Sequence, residues 1–162
     1  MRFPFLSILL PLAWVLTVLP PASAGEAPTV RVAHLQGTTT LPQHPQRVVI
    51  LNPSTLDIAD ALGITPAGVP QAGFTYPAHL AKYNGQGYFN AGTLFEPAYE
   101  ALSAAAPEAI FAGGRALAAY NKLSGIAPTV SLDIDPHDFM QSLTQRTTQL
   151  GEIFGKQADR KS

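Results

Sequence analysis

The 162-residue chain has no cysteine, one tryptophan, two methionines and only 13% charged residues, and each scarcity removes a class of protein. Without cysteine there is no disulfide framework for an exported fold and no thiol to carry a lipid behind a leader. With 10 basic against 11 acidic residues there is no basic surface for nucleic acid and no polybasic membrane tether. Internal repeats and low-complexity tracts are missing too. Gly113-Gly114 lacks the lysine and Ser/Thr of a phosphate loop. No Gly-x-Ser-x-Gly is present, and no serine, histidine and carboxylate group together, so a hydrolase on an α/β scaffold is the weakest function class. His34, His44, His79 and His137 are far apart, and Asp133-Ile134-Asp135-Pro136-His137-Asp138 has neither EF-hand nor paired-histidine spacing. Its aspartates read as caps of a strand-to-helix turn, and no metal site or cofactor is expected.

What is present begins with an export signal. Arg2 is the positive n-region, Phe3 to Leu19 the apolar run, and Ala22-Ser23-Ala24 an A-x-A cleavage site, so the mature chain should begin at Gly25. Pro4 and Pro11, with the short run, argue against a membrane-spanning helix. The expected location is the periplasm. Loss of Arg2 with the signal leaves 9 basic and 11 acidic residues, and about 138 residues remain, enough for one domain with its own core.

Strand and helix signals alternate along that domain. Thr29–Gln36 alternates as a strand near an edge, and Gly37–Pro42 reads as a hairpin turn with a short return strand. Arg47–Leu51 is a continuous β-branched run of the kind found in buried parallel strands. Asn52-Pro53-Ser54 opens a helix over Thr55–Leu62 that Gly63 ends. Ala67–Val69 reads as a second parallel strand, and Pro77–Tyr83 as one or two helical turns. A helix over Pro97–Ala105, a strand over Ala109–Ala112, a helix over Ala116–Leu123 and a strand over Thr129–Leu132 follow. A last helix runs to about Phe154, with Phe139, Leu143, Leu150 and Phe154 on one stripe and Met140 and Ile153 beside it. The pattern predicts an α/β fold, a single three-layer lobe with a mostly parallel sheet. In such folds ligands gather at the carboxyl ends of strands, and the turn after Ala109–Ala112 puts Arg115 there, a guanidinium suited to an anion.

Several motifs, in order, resemble one family. They are Gly37-Thr38-Thr39-Thr40-Leu41-Pro42, Pro45-Gln46-Arg47-Val48-Val49, Leu62-Gly63-Ile64, Gly92-Thr93-Leu94-Phe95-Glu96-Pro97, Gly114-Arg115, Ile126-Ala127-Pro128-Thr129 and Leu150-Gly151-Glu152-Ile153-Phe154-Gly155-Lys156. The run from Val30 to Lys156 resembles the N-terminal lobe of periplasmic ferric-siderophore-binding proteins of ABC importers, most closely the catecholate type. The resemblance implies a two-lobed binder with the ligand between lobes joined by a long helix, and both lobes docking on a membrane permease. It divides the chain into signal (1–24), N-terminal extension and first strand (25–36), ligand-binding lobe (37–136) and start of the interlobe helix (137–162), with the second lobe absent.

On that reading the ligand is a ferric catecholate siderophore that brings its iron already chelated, and Arg115 matches the family's first-lobe arginine. Tyr76 and Phe95, in Gly/Pro-bounded loops, are the aromatic candidates for the pocket, and Asn52 and Ser54 line the same rim. Phe95 stands where relatives often carry a polar or basic residue. Glu100, with Glu96 second, matches the glutamate that pairs with permease arginines; by position alone both suit a helix start. Two other readings stay open. Haem or cobalamin is one, with Tyr76 or Tyr120 as an axial ligand for haem. The other is a one-lobed remnant or interaction module that self-associates through the C-terminal helix.

Overall fold

The computed structural model describes residues 27–156. The expected signal over Met1–Ala24 and the tail from residue 157 lie outside them.

The first two strands stand apart from the rest. β1 (Thr29–His34) and β2 (Gly37–Pro42) form an antiparallel hairpin, with Leu35 and Gln36 as its turn. Gly37 is therefore the first residue of the return strand and not the turn itself.

The remaining strands make one parallel sheet. β3 (Val48–Ile50), β4 (Gly68–Val69), β5 (Phe89–Asn90), β6 (Ala109–Ala112) and β7 (Thr129–Ser131) lie in the order β5-β4-β3-β6-β7. β5 had no counterpart among the expected strands, because two residues are too few to show alternation. Each β3 or β6 residue is fully buried, and the two faces sort by parity. Val48, Ile50, Ala109 and Phe111 face one core, with Leu56, Ile58 and Ala59 of helix α1 (Pro53–Ala61) and Leu150 and Ile153 of α4 (Phe139–Phe154). Val49, Leu51, Ile110 and Ala112 face the other, with Leu102 of α2 (Tyr99–Ala105) and Leu123 of α3 (Tyr120–Ser124). The lobe is thus three layers, helix on sheet on helix.

The helices follow the sequence signals closely at α1 and less so elsewhere. Asn52 caps α1 by accepting the Ser54 N–H at 3.0 Å, and Pro53 occupies the first turn, where its missing N–H has no cost. Pro97 does not open α2, because it bridges back to Gly92 and leaves the helix to begin at Tyr99. The expected helix after β6 is split, a 3₁₀ segment over Gly114–Ala119 followed by α3.

α4 folds back onto the domain beside α1. Leu150 and Ile153 are fully buried, Leu143 and Phe154 half-buried, and Phe139 and Met140 are exposed at 52% and 68%. The stripe read from the sequence is therefore a core face only over its C-terminal turns. The helix closes at Phe154, capped by left-handed Gly155. No helix among the described residues is long and apolar enough to cross a membrane.

Candidate ligand-binding cleft

The strand order sets the place of the site. From β3 the chain moves outward through β4 and β5, then returns to the opposite side of β3 to lay down β6 and β7. The loops leaving β3 and β6 therefore diverge, and a crevice opens between them at the carboxyl ends of the strands. A cleft of about 260 Å³ lies there, lined by Leu51 to Ser54 after β3, by Gly113 to Arg115 after β6, and by Leu94.

The β6 turn is built by a close approach. A Cβ on Gly113 would fall on the Asp133 carboxylate and the Asn52 amide, so only glycine fits. Asp133 Oδ1 accepts from the Gly114 backbone N–H at 2.5 Å and from Asn52 Nδ2 at 3.0 Å, while Asn52 Oδ1 caps α1. One amide thus closes a helix end with its oxygen and ties two loops together with its nitrogen. Arg115 leaves this turn exposed, and among the described residues no carboxylate lies within ion-pairing distance of its guanidinium.

The second loop of the cleft presents an aromatic ring. Gly92 has φ +105°, and a Cβ there would meet the backbone of Glu96 and Ala98. Thr93 Oγ1 accepts the N–H groups of Phe95 at 3.2 Å and Glu96 at 2.9 Å, which folds Thr93–Glu96 into a tight projection. Leu94 turns inward and is buried, while Phe95 points out and is 66% exposed. The Arg115 Cζ lies 5.1 Å from the Phe95 ring centroid, within cation–π range.

The structure thus brings Asn52, Ser54 and Arg115 to one cleft and sets Phe95 against Arg115. Tyr76 does not join them. It is 3% exposed and packs in the α1–α4 core, its ring centroid 4.8 Å from Phe74 and 6.0 Å from Tyr83. Its loop is irregular, but Asn84 Oδ1 holds the Tyr76 N–H at 2.8 Å and turns the ring inward. The buried hydroxyl has no hydrogen-bond partner among the described residues, and burial pushes its ionisation above the ordinary tyrosine range. Tyr120 is engaged elsewhere, donating to the Thr129 carbonyl at 3.2 Å. Neither phenol is therefore presented to the cleft as an axial ligand. Glu96 and Glu100 are exposed, the first in the Phe95 projection and the second in the first turn of α2. Asp133 is the residue the sequence signal hid, because an aspartate at a strand-to-helix junction is so often only a cap.

The model of the periplasmic binding protein family matches residues 48–162. The chain belongs to the periplasmic binding protein family. Within it, the petrobactin-binding protein of Bacillus subtilis is 31% identical over 121 residues, covering 74% of this chain and 38% of the relative. The Fe(3+) dicitrate-binding periplasmic protein of Escherichia coli is 32% identical over 140 residues, covering 82% and 44%. The solved periplasmic catecholate-siderophore binding protein of Vibrio cholerae superimposes with a TM-score of 0.73 at 38% identity, over 79% of this chain and 46% of that one. The chain spans less than half the length of each relative. The ligands that name these three proteins differ: petrobactin, Fe(3+) dicitrate and a catecholate siderophore.

Proposed function

We propose that this chain supplies the first ligand-binding face of a periplasmic binding protein that captures a ferric siderophore for an ABC importer. The observation that carries the reading is the switch-point cleft with Arg115 at its mouth, exposed, unpaired with any described carboxylate and backed by Phe95. A ferric tris-catecholate complex bears a charge of about −3, so its receptor needs cations that cannot lose their proton, and arginine is that residue. Phe95 adds a flat apolar face for a catechol ring, and Asn52 and Ser54 add polar groups at the rim. The iron stays within the siderophore and takes no protein ligand. The catecholate assignment draws support from the resemblance of the motifs and from the likeness to the Vibrio cholerae structure. Glu100, with Glu96 second, is the carboxylate offered to arginines of the permease.

Titration of the chain with ferric tris-catecholate and with ferric dicitrate, read by tyrosine fluorescence, tests this. Saturable quenching by the catecholate complex, weakened at least roughly tenfold by Arg115→Ala, supports the reading. Equal or tighter response to the citrate complex moves the ligand class, and no saturation with either removes the function from this chain alone.

One observation favours a second reading. Phe139 and Met140 stand exposed at the start of α4, next to the half-buried Ile134 region. A chain that self-associates through this end would show concentration-dependent sedimentation that Met140→Glu abolishes.

A further inference from the structure

We propose that Asp133 is the positioning residue of the cleft, the group that fixes the direction in which Arg115 leaves β6. The inference rests on the ligand-binding reading for its consequence and on hydrogen-bond geometry for its substance.

Asp133 lies just beyond β7, and its carboxylate reaches across the ends of three strands. Oδ1 takes the Gly114 N–H at 2.5 Å and Asn52 Nδ2 at 3.0 Å, and Oδ2 lies 3.5 Å from Ser131 Oγ. From behind, the Asp133 carbonyl accepts Arg146 Nε of α4 at 2.9 Å, and Arg146 Nη1 is held in turn by Gln149 Oε1 at 2.7 Å. The loop after β3, the turn after β6, the end of β7 and helix α4 therefore all meet at one residue. A carboxylate only accepts, so each of its three partners must be a donor, and this fixes the orientation of the Asn52 amide. The glycine at 113 is what lets the carboxylate come this close.

Two consequences follow for the cleft. The Gly114 N–H is already bonded, so it is not the donor that meets an arriving anion. Arg115 is left as the donor, on a turn that cannot swing without breaking a charge-assisted hydrogen bond. Asp133 also places a negative charge behind an anion site, and that gives the proposal a test with opposite signs. A carboxylate acting only through its charge would repel the ligand, and removing it would tighten binding. A carboxylate acting by position would, when removed, weaken binding.

The test uses Asp133→Ala, Asp133→Asn and Asn52→Ser in the full chain. Asn52→Ser keeps a helix-capping oxygen but loses the amide donor. Each variant is titrated with ferric tris-catecholate, and exchange of the Gly114 amide proton is followed by NMR without ligand. The proposal expects Asp133→Ala to speed Gly114 exchange at least roughly tenfold and to weaken binding by a similar factor. Asp133→Asn keeps an acceptor for Gly114 and sheds the charge, so it should restore the protection and bind more tightly than wild type. Asn52→Ser should weaken binding less than Asp133→Ala, because the Gly114 bond survives. Unchanged Gly114 exchange in Asp133→Ala overturns the proposal, as does tighter binding by that variant. If Asp133→Ala does not fold, Asp133→Ser, whose shorter side chain withdraws the acceptor from Gly114, takes its place: faster Gly114 exchange upholds the proposal and unchanged exchange overturns it. If wild type binds no ferric complex, the ligand reading falls, while the exchange measurement still decides whether Asp133 holds the turn.

Discussion

The guanidinium of Arg115 and the ring of Phe95 face each other at 5.1 Å, although twenty residues and a whole strand separate them in the chain. The contact joins the projection before α2 to the turn after β6 and keeps a long side chain extended over an exposed ring. Phe95→Ala should weaken binding of ferric tris-catecholate by about 0.5–1 kcal/mol, a few-fold in Kd, while Phe95→Tyr should preserve it. Parallel titrations measure both. Equal losses in the two variants would mean that the ring matters by shape and not as a partner of Arg115.

Gly113 faces two polar groups with no space between. Gly113→Ala should cost about 1–3 kcal/mol, read as a fall of several degrees in Tm. Gly87 is the control, since a Cβ there meets nothing within 4 Å, and Gly87→Ala should stay within about 0.5 kcal/mol of wild type.

The two ends of α4 should answer differently to truncation. Leu150→Ala and Ile153→Ala each empty a fully buried site shared with α1 and should cost about 2–5 kcal/mol in urea denaturation. Met140→Ala, on the exposed end, should cost no more than about 0.5 kcal/mol. A similar loss at all three would mean that the exposed end is covered in solution.

His34 gives the fold a pH dependence of predictable sign. Its ring is held below the ordinary 6.5, first by burial and then by the nearby Arg146 charge. The neutral form also suits its bonds. Nδ1 accepts the Gln36 N–H at 3.3 Å, and Nε2 donates to Thr39 Oγ1 at 2.8 Å, whose own proton goes to the Thr129 carbonyl. The unfolded chain takes up this proton near pH 6.5 and the folded chain only below it. The stability contributed by the neutral ring is therefore complete above that pH and erodes as pH falls through 6.5 towards the folded value. Urea midpoints at pH 7.5 and 5 should show the loss, and His34→Gln should flatten the difference between them. Asp60 and Glu108, held below the usual carboxylate range by hydrogen bonds, lose their contributions only at lower pH.

The parallel sheet and its layers were legible because Val48–Ile50 and Ala109–Ala112 are short, continuous apolar runs bounded by turn residues. The placement of Asn52, Ser54 and Arg115 at strand ends was legible as well, since strand ends are marked in sequence by the cap or glycine that follows. Tyr76 was misplaced because loop composition says where the backbone goes and not where a ring turns. Pro97 suits a helix start by its fixed φ, yet its bridge to Gly92 is a tertiary contact that local preference does not record. Asp133 was read as a cap, and its partners Asn52 and Gly114 are 81 and 19 residues away, beyond any local pattern.

The hairpin of β1 and β2 lies outside the parallel sheet, yet it closes one of that sheet's open sides. Among the described residues β7 pairs only with β6, so its far side carries carbonyls with no neighbouring strand. Thr39 from β2 and Tyr120 from α3 both donate to the Thr129 carbonyl, at 2.8 and 3.2 Å. A strand from another chain seeking to extend the sheet there meets an acceptor already saturated and a hairpin in its path. Two hydroxyls thereby do what lysines or prolines do on other borders, and guard this edge against pairing with another chain.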